Sequence, residues 1–248
     1  MKRTLLLLAV ALVAPAVAHA TTATATAQAE LQAGVAAYHR GDYQQALADF
    51  RQLAAQGHVF AEFVLGTMYE KGQGVTQNYA EAMKWYRLAA AHGDAVAKNQ
   101  LGFMYDHGQG VSQNYAEALK WYRLAAAQGY ARAETKLGMM YTVGQGVPQN
   151  YAEALKWNRL AAAQGYALAE ANLGVMYTRG LGVPQDYVAA YKWYLIAKAT
   201  MSATSPYYAV VSDNVKQLSA MTTPAQIAQA QQEASAWYAA HEHAGHAP

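Results

Sequence analysis

Apolar and aromatic residues recur at three- and four-residue steps over much of the chain, which is the spacing of one face of an α-helix. One such set begins at Ala61 and includes Leu65 and Met68, and the next begins at Tyr79 and includes Tyr86. These sets predict one helix near residues 59–70 and a second near residues 79–91. We call the first helix of such a pair helix A and the second helix B.

The residues between helix A and helix B carry the signals that end one helix and start another. Gly74 and its neighbours follow helix A directly, where glycine tolerates the left-handed backbone of a helix end. A later copy of this loop contains Pro148, which cannot continue a helix. Asn78 with Glu81 forms a start for helix B that resembles a capping box.

The helix pair repeats along the chain with a strict period. The segment that begins at Asn78 returns almost unchanged at residues 114, 150 and 186, and tryptophans fall at 85, 121, 157 and 193, which gives a period of 36 residues. Self-similarity at this length indicates a solenoid whose units are each one supersecondary element. The sequence therefore predicts an all-α fold built from helix-turn-helix repeats.

The repeated residues closely resemble the Sel-one-like repeat (SLR) family, a variant of the tetratricopeptide repeat. In one copy the family pattern is carried by Ala97, Leu101, Gly102, Tyr105, Gly108, Gly110, Val111, Asn114, Ala118, Trp121, Tyr122, Ala125, Ala126 and Gly129. About a dozen positions agree in each of the four copies. The resemblance implies a right-handed α-solenoid and roles in envelope regulation, signalling or host interaction.

The copies also set the expected domain boundaries. We expect a signal peptide at 1–20, a tetratricopeptide-like capping repeat at 21–57, SLR repeats at 58–93, 94–129, 130–165 and 166–201, C-terminal capping helices at 202–240 and a His-rich disordered tail at 241–248. The N-terminal unit departs from the repeat pattern, because it has a short turn around Gly41 and Asp49 where the tryptophan would stand.

The start of the chain has the layout of a secretory signal peptide. Two basic residues precede an apolar run from Leu5 to Val17, and Ala18-His19-Ala20 places small residues at a cleavage site after Ala20. The run is too short to span a bilayer, and no later run reaches about 18 apolar residues. We therefore expect a periplasmic or secreted protein without membrane insertion after cleavage, with an uncleaved anchor as the alternative.

Composition narrows the possible partners and the sources of stability. Loss of Lys2 and Arg3 with the signal peptide reduces 18 Lys and Arg to 16, which equals the 16 Asp and Glu. A neutral chain without a cluster of Lys and Arg is a poor candidate for binding nucleic acid. The chain has no cysteine, so after export its stability depends on packing alone.

Several motifs invite a catalytic or ligand-binding interpretation. The Gly-x-Gly loops lack a preceding strand and the lysine of a phosphate-binding loop. Pairs such as Trp121-Tyr122 could form stacking platforms, but their place on the apolar face of helix B favours core packing. No serine or cysteine stands in a nucleophile motif. We therefore predict neither enzyme activity nor a cofactor.

The histidines give one further candidate. The segment 241–246 holds three histidines and a glutamate but lacks the His-Glu-x-x-His spacing of a metalloprotease. Weak metal binding by this tail is an alternative, although a polar terminus is more often only disordered. His58, His92 and His107 lie at helix ends with no partner at a recognisable spacing. The sequence thus assigns no metal site.

Comparison of the copies with one another shows that helix B is nearly constant while helix A varies. The variable positions are three and four residues apart, which places them on one face of helix A. They are Phe63, Thr67, Glu70, Asn99, Phe103, Asp106, Thr135, Met139 and Val175. By resemblance to tetratricopeptide arrays, this face lines a concave surface that holds peptides or partner proteins, and we expect its apolar members to be exposed. The alternative is neutral drift at solvated positions.

Together these features predict an exported, monomeric adaptor or scaffold that binds a partner protein or peptide and catalyses no reaction. One alternative is a cell-wall-associated hydrolase or a regulator of cell-wall enzymes, which the absence of a nucleophile or of paired carboxylates disfavours. Another is metal binding by the histidine tail.

Overall fold

A computed structural model describes residues 27–241, which contain helices and no strand. The helices are α1 (27–39), α2 (Tyr43–Ala55), α3 (Val59–Lys71), α4 (Tyr79–Ala91), α5 (Ala95–His107), α6 (Tyr115–Ala126), α7 (Ala131–Val143), α8 (Tyr151–Ala162), α9 (Ala167–Arg179), α10 (Tyr187–Thr200), α11 (Tyr208–Met221) and α12 (Pro224–His241). The predicted all-α fold is confirmed. The predicted signal peptide and the tail after His241 lie outside the described residues.

The chain divides into two compact units, the first ending at Ala97 and the second beginning at Lys98, within α5. In the first unit, α2 packs against α3, and α3 against α4. In the second unit, α7 packs against α6 and α8, and α9 packs against α8 and α10. A helix A such as α7 or α9 therefore has a helix B on each side.

The predicted loop signals act as expected in the first repeat. Helix α3 ends at Gly72, whose φ of 69° is left-handed. The Asn78 side chain accepts a hydrogen bond from the Glu81 amide at 3.0 Å and so caps α4. The observed bounds of α3 and α4 agree with the predicted helices to within one residue.

Within a repeat, helix A and helix B are in close contact at a helix A glycine. A Cβ atom at Gly66 would lie 2.6 Å from the ring of Tyr86, and one at Gly102 would lie 2.7 Å from the ring of Tyr122. Each tyrosine ring thus lies across the bare backbone of its glycine and is fully buried. The glycine is needed because any side chain would push the two helices apart.

In the first and third repeats, the second glycine of the loop contacts the preceding helix B. Gly74 has a φ of +71°, and a Cβ there would lie 2.5 Å from the carbonyl oxygen of Tyr43. Gly146 repeats this approach with Tyr115, at 2.6 Å. The loop of one repeat therefore rests on the first turn of the helix B before it.

An arginine of helix B also donates a hydrogen bond to a tyrosine hydroxyl on the following helix A. The pairs are Arg51 with Tyr69 at 2.7 Å, Arg123 with Tyr141 at 2.6 Å and Arg159 with Tyr177 at 2.9 Å. We call these the arginine–tyrosine contacts. The next position in the arginine series is Leu195.

The two C-terminal helices cover the last repeat. Both α11 and α12 pack against α10. Trp237 of α12 meets Trp193 edge-on with ring centroids 4.7 Å apart, and Lys192 lies 3.2 Å from the Glu233 carboxylate. Trp193 is only 6% exposed, whereas Trp121 and its other counterparts are half-buried, so the tryptophans pack against the core rather than stand free as platforms.

Candidate partner-binding surface

In the first unit, three of the predicted surface residues gather around Tyr86. Its hydroxyl donates to Oε2 of Glu70 at 2.5 Å and lies 3.2 Å from Oγ1 of Thr67. The ring of Phe63 lies 5.6 Å from the ring of Tyr86, measured between centroids. All three helix A side chains are half-buried. The variable face of α3 is therefore partly engaged in bonds within its own repeat.

Beside these residues the first unit has an apolar cavity of about 210 Å³. Its lining comes from α1, α2 and α3 and consists of Val35, Tyr38, His39, Phe50, Phe60, Phe63, Val64 and Thr67. Phe60 at its edge is 46% exposed. The capping helices thus form one wall of a concavity that the variable face of α3 completes.

The second repeat arranges its variable residues differently. Asn99 is buried, at 3% exposure, while Phe103 and Asp106 are half-buried. The Phe103 ring stacks on the His107 ring with centroids 4.0 Å apart, and Nδ1 of His107 lies 3.7 Å from Oδ2 of Asp106. Among the described residues neither the Tyr122 hydroxyl nor Oδ1 of Asn99 has a hydrogen-bond partner. Burial and the nearby Asp106 carboxylate raise the pKa of Tyr122 well above its usual value.

The third and fourth repeats bring two predicted residues to one apolar cavity. Met139 and Val175 line a space of about 170 Å³ together with Leu168, Ala171, Asn172, Tyr194, Tyr207, Val210, Val211 and Asn214. Met139, Tyr207 and Val210 are 42%, 52% and 58% exposed. The α11 side of this cavity was not foreseen, because α11 lies outside the repeat pattern that singled out the other residues.

Two predicted residues do not lie on an open surface. Asn99 and Thr135 are 3% and 1% exposed, and the Thr135 hydroxyl donates to the Ala131 carbonyl oxygen at 2.9 Å. The expectation of exposure was also wrong for Phe63, Phe103 and Val175, which are half-buried. The reason is that helix A is flanked on both sides, as α7 is by α6 and α8, so a position can vary between copies and still face a neighbouring helix.

A set of buried acids near the start of helix A escaped the sequence analysis. Glu62, Glu134 and Glu170 are at most 4% exposed. Each meets a side chain 30 residues further on, and the pairs are Glu62 with His92 at 2.8 Å, Glu134 with Gln164 at 2.8 Å and Glu170 with Thr200 at 2.5 Å. His92, which has no partner at a recognisable sequence spacing, has one in Glu62 through the packing of the helices. The signal was available, since glutamate recurs at these positions in register with the repeat period.

These acids differ in their electrostatics. Burial raises the pKa of Glu170 to about 7, against a smaller opposing effect of the Thr200 hydrogen bond. Burial raises the pKa of Glu134 as well, and the Gln164 hydrogen bond opposes the shift. Each acid joins helix A to the end of helix B within its own repeat, so we assign these acids no binding role.

Other sites named by the sequence can be placed in part. Of the histidine tail, only His241 is described, and its ring stacks on Trp237 with centroids 3.7 Å apart. Within residues 27–241, no group of three or more potential His, Cys, Asp or Glu metal ligands occurs. In the same range, none of the helices combines the length and the hydropathy needed to cross a bilayer.

Solved structures with the same helix pairs are known from bacteria. A Sel1 repeat protein from Oxalobacter formigenes is 32% identical over 83% of this chain and 82% of that chain, with a TM-score of 0.70. A protective antigen of uropathogenic Escherichia coli strains, which displays an SLR fold, is 34% identical over 77% of this chain with a TM-score of 0.67. The match covers 46% of the antigen, so this chain spans about half of its length. No curated protein sequence matches.

The repeat itself carries the assignment. The profile of the Sel1 repeat matches residues 59–94, 95–130, 131–166 and 167–199, which together make up more than half of the chain. Proteins built from this repeat generally serve as scaffolds for protein–protein interaction and generally lack catalytic activity. The chain belongs to the Sel1 repeat family.

Proposed function

We propose that this protein is an exported adaptor that binds a segment of a partner protein on the variable helix A surfaces and catalyses no reaction. The observation that carries the proposal is the apolar cavity bordered by Met139, Tyr207 and Val210. All three are large apolar side chains that remain more than 40% exposed. Contiguous exposed apolar surface on a soluble protein is typical of an interaction site.

The cavity also offers hydrogen bonds for the backbone of a bound segment. Asn172 and Asn214 line it, and an asparagine amide provides both a donor and an acceptor. Asn172 donates to Oδ1 of Asn158 at 3.0 Å, which fixes its orientation and leaves its oxygen as an acceptor. Apolar walls with a few placed polar groups suit an extended peptide that inserts one or two apolar side chains.

Titration of a captured partner against variants tests this proposal. The partner is obtained by crosslinking in the envelope or secreted fraction, purified, and titrated against the exported protein by calorimetry. Met139→Ala and Val210→Ala should each weaken binding by about 1–3 kcal/mol, the range for apolar anchors, with little change in melting temperature. Lys120→Ala is the matched control, because Lys120 is exposed on helix B. Equal losses in the control, or normal binding by both cavity variants, would contradict the assignment.

Export is tested separately. N-terminal sequencing of the protein recovered outside the cytoplasm should begin at Thr21, since Ala18 and Ala20 provide the small residues that signal peptidase requires. Recovery of a full-length chain from the cytoplasm alone would contradict the export proposal and leave the binding proposal standing.

A further inference from the structure

The tyrosine that lies across the helix A glycine has a bonded hydroxyl in the first repeat and an unbonded one in the second. The Tyr86 hydroxyl donates to Glu70 at 2.5 Å. The corresponding Tyr122 is completely buried, yet its hydroxyl has no partner within residues 27–241. A buried hydroxyl without a partner destabilises a folded protein, so the presence of a tyrosine at position 122 requires an explanation.

Two substitutions between the copies explain the loss of the bond. Glu70 is replaced by Asp106, whose side chain is one methylene shorter and does not reach the hydroxyl. Thr67, which lies 3.2 Å from the Tyr86 hydroxyl, is replaced by Phe103, which has no polar atom. The second repeat thus lacks both hydrogen-bonding partners of the tyrosine hydroxyl but keeps the tyrosine.

The remaining copies satisfy this position in other ways. The Tyr194 hydroxyl in the fourth repeat is hydrogen-bonded to Thr178. The third repeat has Asn158 instead, whose amide donates to the Ala154 carbonyl oxygen at 2.9 Å and whose Oδ1 accepts from Asn172. Of the copies that the structure describes, the second is the one in which a buried polar group at this position lacks a partner.

A second unbonded acceptor lies on α5, on the side of the helix that carries Gly102. Oδ1 of Asn99 has no partner in the described part of the chain, and its residue is 3% exposed. Gly102 lies directly under the Tyr122 ring, with Asn99 one helical turn before it and Asp106 one turn after. An amide oxygen, a phenol oxygen and a carboxylate thus lie along one face of this repeat.

The acidic group at this position is Asp106. The Asp106 side chain is 15% exposed and is the member that reaches solvent. Burial raises the pKa of Tyr122 most, the Asp106 carboxylate raises it further, and the exposed Arg132 guanidinium opposes the shift. Nδ1 of His107 lies 3.7 Å from Oδ2 of Asp106. The ring of Phe103, stacked on His107, adds an aromatic wall beside these oxygens. Acceptors next to an aromatic face favour a cationic donor.

We propose that the second repeat takes a lysine or arginine side chain of the partner protein, pairing its charge with Asp106 and its N–H groups with the oxygens of Asn99 and Tyr122. The inference rests on the proposed function, because it names the chemistry of one contact with the bound partner. Entry of the cation requires neighbouring side chains to shift, since the oxygens of Asn99 and Tyr122 are both buried.

The first experiment compares two hydroxyl deletions in the free protein. Tyr122→Phe should leave the melting temperature unchanged or raise it, because the deleted hydroxyl has no bond to lose. Tyr86→Phe, the matched control, should lower the melting temperature because it leaves Glu70 without its donor. A fall in Tyr122→Phe as large as that in Tyr86→Phe would show that the Tyr122 hydroxyl is already satisfied, and would overturn the proposal.

The second experiment measures side-chain preference directly. Acetylated peptides of alanine and leucine that carry one central lysine, arginine, glutamine or glutamate are titrated against the labelled protein, with the NMR signals of Asn99 and Asp106 as readout. The lysine and arginine peptides should bind about tenfold more tightly than the other two, as charge-assisted hydrogen bonds predict. Asp106→Asn should abolish this preference while keeping the fold. Equal binding of the glutamine peptide, or a preference that survives Asp106→Asn, would overturn the proposal.

The signals of the cavity at Met139 separate this inference from the proposed function. Peptides that shift the Met139 methyl signal without any preference for lysine or arginine at Asp106 would refute the inference alone. Failure of the captured partner and of all four peptides to bind at either place would refute both.

Discussion

The first and the fourth repeat bury the same acid at the same position and satisfy it differently. Both oxygens of Glu62 face Nδ1 of His92, at 3.0 and 2.8 Å. Glu170 receives one hydrogen bond, from Thr200, and its Oε1 has no partner among the described residues. Both glutamates are completely buried. A repeated backbone therefore does not repeat its electrostatics, because one residue 30 positions further on decides how each acid is held.

The burial of Glu170 makes the stability of the protein depend on pH. Burial raises the folded-state pKa of Glu170 from 4.5 to about 7. Between these values the folded protein holds a proton that the unfolded chain has released, so stability falls as the pH rises through this window and then levels off. Ionisation of Glu170 therefore lowers the stability of the folded protein.

The largest expected effect is this pH dependence. The free energy of unfolding, measured with urea and followed by circular dichroism, should fall by about 3 kcal/mol between pH 4.5 and pH 7.5 on account of Glu170. Glu170→Gln, which is neutral at every pH, should remove that part of the slope and make the protein more stable than the wild type at pH 7.5. Glu134 should leave a smaller slope of the same sign, because burial raises its pKa as well. An unchanged slope in Glu170→Gln would show that another group is responsible.

The matched substitution in the first repeat should have the opposite sign. Glu62→Gln replaces one of the two oxygens that face His92 with an amide nitrogen that cannot accept a hydrogen bond. We expect a loss of about 1–3 kcal/mol in urea unfolding at pH 6, the range for leaving a buried hydrogen-bonding group without its partner. A gain in stability like that of Glu170→Gln at pH 7.5 would mean that the two acids are equivalent after all.

A smaller effect is expected when Glu170 loses its single donor. Thr200→Val keeps the shape of the side chain and removes the hydroxyl that holds Oε2. At pH 7.5 the variant should be less stable by about 1 kcal/mol, with the unfolding slope extended to higher pH. The position of that slope is the decisive measurement, because a purely steric effect would lower stability equally at pH 4.5 and pH 7.5.

The smallest effect comes from exchanging partners between repeats. His92→Gln gives Glu62 the type of donor that Gln164 supplies to Glu134 in the third repeat. Because the side chain of His92 is 44% exposed, the melting temperature should change by only about 1–2 °C, as is usual for partly exposed substitutions. A drop of the size seen in Glu62→Gln would show that glutamine cannot replace the imidazole at this place.

The sequence predicts the helices well because their signals are local. Cap residues such as Asn78 and glycines such as Gly72 act within a few residues of their own position, so they can be recognised one at a time. Because the repeat is strictly periodic, the same signal recurs in every copy, and α3 and α4 end where expected. The acid pairs were missed for the opposite reason, since a partner 30 residues away is defined only by the packing of one helix on another.

The candidate surface could be predicted only in part. Met139 and Val175 share a cavity, as their common helix A face suggested. Asn99 and Thr135 have the same spacing but are buried, because spacing identifies a face without saying which neighbour covers it. The contribution of Tyr207 was not predictable from the repeats, since α11 has no counterpart among the copies. A terminal helix can thus contribute to a candidate surface that cannot be predicted from the repeats alone.

The arginine–tyrosine contacts have an evolutionary consequence. Donor and acceptor lie 18 residues apart, as in Arg123 with Tyr141 and Arg159 with Tyr177. A duplicated 36-residue stretch of the gene therefore carries one donor for the unit ahead and one acceptor for the unit behind, wherever its ends fall. Such a protein can gain or lose whole repeats by unequal recombination and still form this contact at the new junction. At Leu195 the arginine of the series is absent, so the contact cannot form beyond it. We therefore expect relatives of this protein to differ in the number of repeats before Leu195 rather than after it.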